Sequence, residues 1–119
     1  MAQQANQPLP NGHLLEEYTI VRQLSLGGFS IVYLATDTAG RQVAIKEYLP
    51  NSLALRTRGD VTPLISAEHL GAFRYGMKCF FEEGRALARL SHPNVIRVLN
   101  FFRANETVYM VMEYEHGRT

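Results

Sequence analysis

The 119 residues leave room for one domain with a modest core. Apolar residues make up 46% of the chain, charged residues 19%, and the formal net charge is +1. That profile excludes a disordered polyelectrolyte, and bulk charge offers nothing for a nucleic-acid groove or a membrane surface. Cys79 is the only cysteine, so an internal disulfide is excluded, which fits a reducing compartment.

Residues 1–17 are expected to form a flexible tail, polar at first through Gln3, Gln4, Asn6, Gln7 and Asn11, with Pro8 and Pro10 between them. It has no basic start and no apolar stretch, so it does not read as a signal peptide. No run approaches the roughly 20 apolar residues of a membrane-spanning helix. A cytoplasmic chain is the expectation. Tyr18 to Leu24, rich in β-branched and aromatic residues, predicts a first strand. A turn follows at Ser25-Leu26-Gly27-Gly28-Phe29-Ser30, then a strand from Ile31 to Thr36, a turn at Asp37 to Gly40 and a strand from Arg41 to Glu47. Tight turns between three strands predict an antiparallel meander. Tyr48 to Ala67 is irregular, interrupted by Pro50, Gly59 and Pro63.

A single long helix is predicted over Glu68 to Leu90. Phe73, Met77, Phe80, Gly84 and Leu87 recur at helical spacing and form one apolar stripe. Pro93 ends it, and strands follow at Val95 to Phe102 and Thr107 to Met112. The expected fold class is therefore α+β, a five-stranded antiparallel sheet with one long helix.

Two features point to chemistry. Alternation along Val43-Ala44-Ile45-Lys46 places Ala44 and Lys46 on one face, which suits a flat apolar ligand with an anionic tail. On the helix, Glu82 lies near the middle of the polar face, whereas Glu83 lies about 60° from the centre of the apolar stripe. A carboxylate aimed toward a core needs a cation, and Lys46 is the inward candidate. The four histidines show no metal-ligand spacing, and no metal site is expected within the chain. Cys79 is expected to be half-buried and inert.

Four phrases stand in order: Gly-Gly-Phe-x-x-Val-Tyr-Leu-Ala from Gly27, Val-Ala-Ile-Lys-Glu-Tyr-Leu-Pro from Val43, Leu-Ala-Arg-Leu-x-His-Pro-Asn-Val from Leu87, and Tyr-Met-Val-Met-Glu-Tyr from Tyr109. Together they resemble the N-terminal lobe of a protein kinase, most nearly the bacterial Ser/Thr kinases of eukaryotic type, over residues 18–119. The resemblance implies ATP as ligand, with Lys46 on the α- and β-phosphates and Glu83 pairing with Lys46. It implies adenine contacts from Leu24, Val32 and Ala44, Met112 at the back of the pocket, and adenine-edge hydrogen bonds from the backbones of Glu113 and Glu115. The turn Ser25, Leu26, Gly27, Gly28, Phe29 and Ser30 would cover the phosphates. Here the chain departs from the family pattern of three glycines: Gly27 is kept, while Ser25 and Ser30 replace the other two.

No His-Arg-Asp or Asp-Phe-Gly phrase occurs in these 119 residues. The chain therefore reads as an N-lobe without its C-lobe, a fragment expected to show no turnover alone. The whole enzyme would transfer the ATP γ-phosphoryl to protein Ser/Thr hydroxyls, with magnesium ligands and the catalytic aspartate in the second lobe. The partners implied are ATP and a protein substrate, with no nucleic acid and no membrane. The alternative is a non-catalytic, kinase-like interaction module, which the altered glycine turn favours and the Lys46–Glu83 pairing opposes.

Overall fold

The computed structural model describes residues 6–89 and 97–114, with backbone alone for 87–89. Its strands are β1 (Leu14–Leu15), β2 (Tyr18–Leu26), β3 (Ser30–Thr36), β4 (Gln42–Tyr48), β5 (Val98–Ala104) and β6 (Thr107–Glu113). A 3-10 turn at Ala67–His69 leads into the helix α1 (Leu70–Arg89). The strands form one sheet in the order β1-β2-β3-β4-β6-β5, every pair antiparallel. The predicted α+β class and meander are present, with a sixth strand where two residues of the expected tail pair with Thr19 and Tyr18.

Register across the sheet separates two faces. Val32, Lys46 and Met110 stand in line across β3, β4 and β6, as do Leu34, Ala44 and Met112, so these six side chains share one face. Ile31, Glu47 and Tyr109, and likewise Tyr33, Ile45 and Val111, share the other. That second face is fully enclosed: Ile31, Tyr33, Ile45, Glu47, Tyr109 and Val111 are each at most 1% exposed. The sheet also curls. Tyr18 of β2 stacks on Phe102 of β5, ring centres 6.0 Å apart, and its hydroxyl accepts from Asn100 Nδ2 at 3.1 Å.

The helix lies against the Lys46 face through the stripe that its spacing predicted. Phe73 and Phe80 are buried, Gly84 is buried and Met77 half-buried, while the Leu87 side chain lies outside the described residues. Tyr48 packs its ring on Phe73 and Phe80, with centroids 5.1 and 5.7 Å away. Two glycines permit this close approach. A Cβ on Gly76 would stand 1.9 Å from the Tyr48 hydroxyl oxygen, and one on Gly84 would stand 2.1 Å from the edge of the Phe101 ring.

Parts of the expected tail pack onto the sheet, while Pro10 to Gly12, Leu14, Glu16 and Glu17 are exposed. Asn6, Leu9 and Leu15 are each 2% exposed, and Leu9 and Leu15 belong to the core. The apolar residues are too sparse to announce this as a pattern, yet the curled sheet offers them an enclosed face to cover. The irregular stretch after β4 is likewise packed: Leu55 and Leu64 pair across it, and Ala54 and Arg56 are buried. The residues after the helix, including Pro93 and the predicted strand start at Val95 and Ile96, lie outside the described residues. No helix among the described residues is long and apolar enough to cross a membrane.

Candidate functional site

Four of the residues singled out in the sequence meet on one face. Val32, Ala44, Lys46 and Met112 stand together because β4 lies between β3 and β6 in the registers given above. Ala44 is buried, and Val32, Lys46 and Met112 are half-buried. Leu24, also half-buried, sits where β2 slips by one residue between Gln23 and Ser25, with Ser25 opposite Val32. The result is a shallow apolar wall with one ammonium at its end.

The glycine turn caps the same end of the sheet. Gly27 N–H donates to the Ser30 carbonyl at 2.9 Å, which closes the turn. Leu26, Gly27, Gly28 and Phe29 are exposed, Phe29 to 74%. The turn is held from the segment after β4: Leu49 N–H donates to the Phe29 carbonyl at 2.8 Å and Asn51 N–H to the Gly28 carbonyl at 2.9 Å. At the other end of the wall, Glu113 N–H donates to the Arg97 carbonyl at 2.9 Å. The Glu113 N–H is therefore already engaged within the sheet. Glu115 lies outside the described residues.

Lys46 and Glu83 are not brought together. No ion pair joins them among the described residues, and Glu83 is exposed. Instead Lys46 Nζ lies 5.7 Å from the centre of the Phe80 ring, a cation–π contact. The helix geometry accounts for the difference. With Phe73, Phe80 and Gly84 seated on the sheet, Glu83 stands one residue, about 100°, around from Gly84 and faces solvent. The expectation that Cys79 is half-buried is also corrected, because its side chain is exposed. Among its neighbours, the Tyr75 hydroxyl is pushed to a higher pKa by its hydrogen bond to Cys79.

Directly behind Lys46 lies a centre that sequence reasoning missed. Glu47 points into the enclosed face and receives Arg56 as a bidentate partner, with Arg56 Nη2 2.6 Å from Oε1 and Nη1 2.8 Å from Oε2. The guanidinium also donates from Nε to the Gln7 carbonyl at 2.8 Å, from Nη1 to the Val61 carbonyl at 3.3 Å and from Nη2 to the Tyr33 hydroxyl at 3.0 Å. All five of its N–H groups are thus used. The Tyr33 hydroxyl donates to Glu47 Oε1 at 2.7 Å, and the Tyr109 hydroxyl donates to Oε2. Burial, reinforced by the Glu47 charge, drives both phenols to higher pKa. Burial alone would lower the Arg56 pKa, but the hydrogen bonds and charge of Glu47 outweigh it and hold the guanidinium protonated. The signal for Glu47 was available in the alternation that puts it beside Val43 and Ile45. A loop arginine flanked by Leu55 and Thr57 carries none.

A separate small cavity of about 180 Å³ opens between Phe81, Gly84 and Arg85 of α1 and Val98 to Phe101 of β5. It touches none of the residues gathered around Lys46. Among the described residues no cluster of three or more His, Cys, Asp or Glu is placed to hold a metal ion.

Residues 18–119 match the family described as the protein kinase domain. This chain belongs to the protein kinase family. Its curated relatives include the serine/threonine-protein kinase srk1 of Schizosaccharomyces pombe, 30% identical over 87% of this chain and 16% of that protein. Another is the serine/threonine-protein kinase PknD of Chlamydia pneumoniae, 32% identical over 88% of this chain and 9% of that protein. Among solved structures, PpkA-294 in its apo form is 41% identical, with a TM-score of 0.83 over 90% of this chain and 38% of that one. The Mycobacterium tuberculosis PknI kinase domain shares the fold, with a TM-score of 0.63 at 22% identity. The chain thus spans less than a fifth of the curated relatives named here and under half of the solved kinase chains.

Proposed function

We propose that this chain is the ATP-binding lobe of a serine/threonine protein kinase. Lys46 would hold the α- and β-phosphates, and the turn from Ser25 to Ser30 would cover them. Leu24, Val32, Ala44 and Met112 would enclose the adenine, with Glu113 and Glu115 offering backbone groups to its edge. The observation that carries this reading is the shared face of Val32, Ala44, Lys46 and Met112, an apolar wall ending in one ammonium beside an exposed glycine turn. The residues present fit a nucleotide. Gly28 has open space where a Cβ would stand, so backbone there is approachable by phosphate oxygens. Bound ATP supplies the γ-phosphoryl group that the complete enzyme would pass to a protein hydroxyl, with magnesium held by residues outside this chain.

Glu83 enters the proposal as the partner that Lys46 acquires when nucleotide is bound. The test is titration of Mg-ATP into the wild type and Lys46→Met in the complete protein, with phosphotransfer measured alongside. The variant is expected to lose at least about tenfold in phosphotransfer, the scale of one charged contact to a phosphate. Equal activity in the two proteins overturns the role of Lys46. The second reading, a kinase-like interaction module without catalysis, draws on the turn that keeps one of three family glycines and on the unpaired arrangement of Lys46 and Glu83. Wild type that binds no ATP and transfers no phosphate would favour it.

A further inference from the structure

The segment before β1 is tied into the molecule more closely than its composition suggests. Asn6 is 2% exposed and uses its whole amide: Nδ2 donates to the Ala54 carbonyl at 3.2 Å and to Asn51 Oδ1 at 3.0 Å, while Oδ1 accepts from Arg56 N–H at 2.6 Å. The Arg56 N–H is a donor, so the amide orientation is forced. Gln7 N–H donates to the Arg56 carbonyl at 3.0 Å, the Gln7 carbonyl accepts from Arg56 Nε, and Leu9 N–H donates to the Tyr33 hydroxyl at 2.9 Å. Residues 6–9 thereby close over the Glu47–Arg56 centre.

One of these contacts leads out to the glycine turn. Asn51 receives Asn6 through its side chain and donates its own backbone N–H to the Gly28 carbonyl, two residues beyond Leu49, which holds Phe29. We propose that residues Asn6 to Leu9 form an intramolecular strap that positions the glycine turn, with Asn6 and Asn51 as the link between them. The strap acts from the face opposite Lys46, so it needs no contact with ligand. It fixes the turn's carbonyls to β4's continuation and sets how far the turn can lift from the wall below it. Asn6 and Asn51 are positioning residues in this scheme. The consequence for nucleotide rests on the reading that the turn covers phosphate; the mechanical link does not.

The test compares Asn51→Ala and Asn6→Ala in the complete protein with Ile20→Val, a core variant that lowers stability without removing any hydrogen bond of the link. Asn51→Ala is the cleaner probe, because Asn6 keeps its bonds to Arg56 and Ala54 and the Asn51 backbone N–H remains. Two quantities are read: hydrogen-exchange protection of the Leu49 and Asn51 amides, and Mg-ATP affinity by calorimetry. Asn51→Ala is expected to exchange about fivefold to tenfold faster at these amides than Ile20→Val, the effect of losing one hydrogen bond, and Asn6→Ala, which loses three, at least as much. ATP affinity is expected to fall by about threefold or more in the link variants alone. Exchange matching the Ile20→Val control overturns the strap. Faster exchange with wild-type ATP affinity overturns its positioning role. If wild type binds no ATP while the amides still respond, the strap stands and the nucleotide reading fails.

Discussion

The two faces of β4 are in opposite conditions. Behind the strand, Glu47 is enclosed with every polar partner in place, and no buried side-chain nitrogen or oxygen among the described residues lacks a hydrogen bond. In front, one residue earlier, Lys46 is half-buried over a phenyl ring and the carboxylate expected to meet it faces solvent. The rear is a finished structural centre, whereas the front is a surface whose pairing is still to be made. This division suits a binding strand. A side chain that must meet a ligand's charge is positioned most accurately when its backbone is fixed from the other side.

The largest expected effect tests the rear. Arg56→Met leaves Glu47 buried without its cation, and loss of one partner from such a pair costs about 3–5 kcal/mol. Urea unfolding should show a correspondingly lower midpoint, and restoration of part of the loss in Arg56→Met/Glu47→Gln would identify the uncompensated charge as the cause. An unfolding free energy within about 0.5 kcal/mol of wild type would show that the centre contributes no more than a surface pair.

Next in size is the contact between helix and sheet. Gly76→Ala drives a methyl into the Tyr48 hydroxyl, which also donates to the Phe73 carbonyl at 3.2 Å, so ring and helix must separate. The expected loss is about 1–3 kcal/mol, as for other overpacked cores. Gly71→Ala is the control, because nothing stands near its Cβ position. If both variants melt alike, the close approach is not what seats the helix.

The enclosed phenols give the rear face a pH signature. Tyr33 and Tyr109 have folded pKa values raised above the ordinary 10.0 by burial and then by Glu47. Below pH 10 both are protonated folded and unfolded, so their contribution is fully present. Above it the unfolded state ionises first, and stability falls until the folded pKa is reached. Tyr109→Phe should flatten the alkaline limb of stability against pH relative to wild type. An unchanged slope would mean that the hydroxyl ionises equally in both states.

How much of this was legible follows from where each signal lives. The meander, the helix and its stripe were readable because Phe73, Phe80 and Gly84 repeat at helical spacing and the strands alternate between tight turns. The wall of Val32, Ala44, Lys46 and Met112 followed from alternation and from the kinase resemblance. A core-facing carboxylate was expected at Glu83, which is exposed in the free protein, whereas the enclosed acid is Glu47. A carboxylate on an apolar face does require a cation, and the strand alternation of Val43, Ile45 and Glu47 marks the residue to which that applies. Its partner was not readable, because Arg56 comes from an irregular loop whose path no period describes. Nor was the packing of Asn6 and Leu9, whose burial depends on the sheet's curl rather than on their own pattern.

The smallest effect on stability is expected at Glu83, and it sharpens the comparison most. In the free protein Glu83→Gln should change stability by no more than about 0.5 kcal/mol, since an exposed helix acid without a close partner contributes little. The proposed function demands a larger effect once nucleotide is bound. Lys46 must then leave the Phe80 ring, and α1 must turn or slide so that Glu83 approaches it, against the seat formed by Gly76 on Tyr48 and Gly84 on Phe101. A ligand drives that shift only by as much as it prefers the paired arrangement. Glu83→Gln should therefore lower phosphotransfer by the complete protein about tenfold or more while leaving its unliganded melt in place. A variant that loses more than about 1 kcal/mol without nucleotide would show instead that Glu83 already has a buried partner, and the front of β4 would be as complete as the rear.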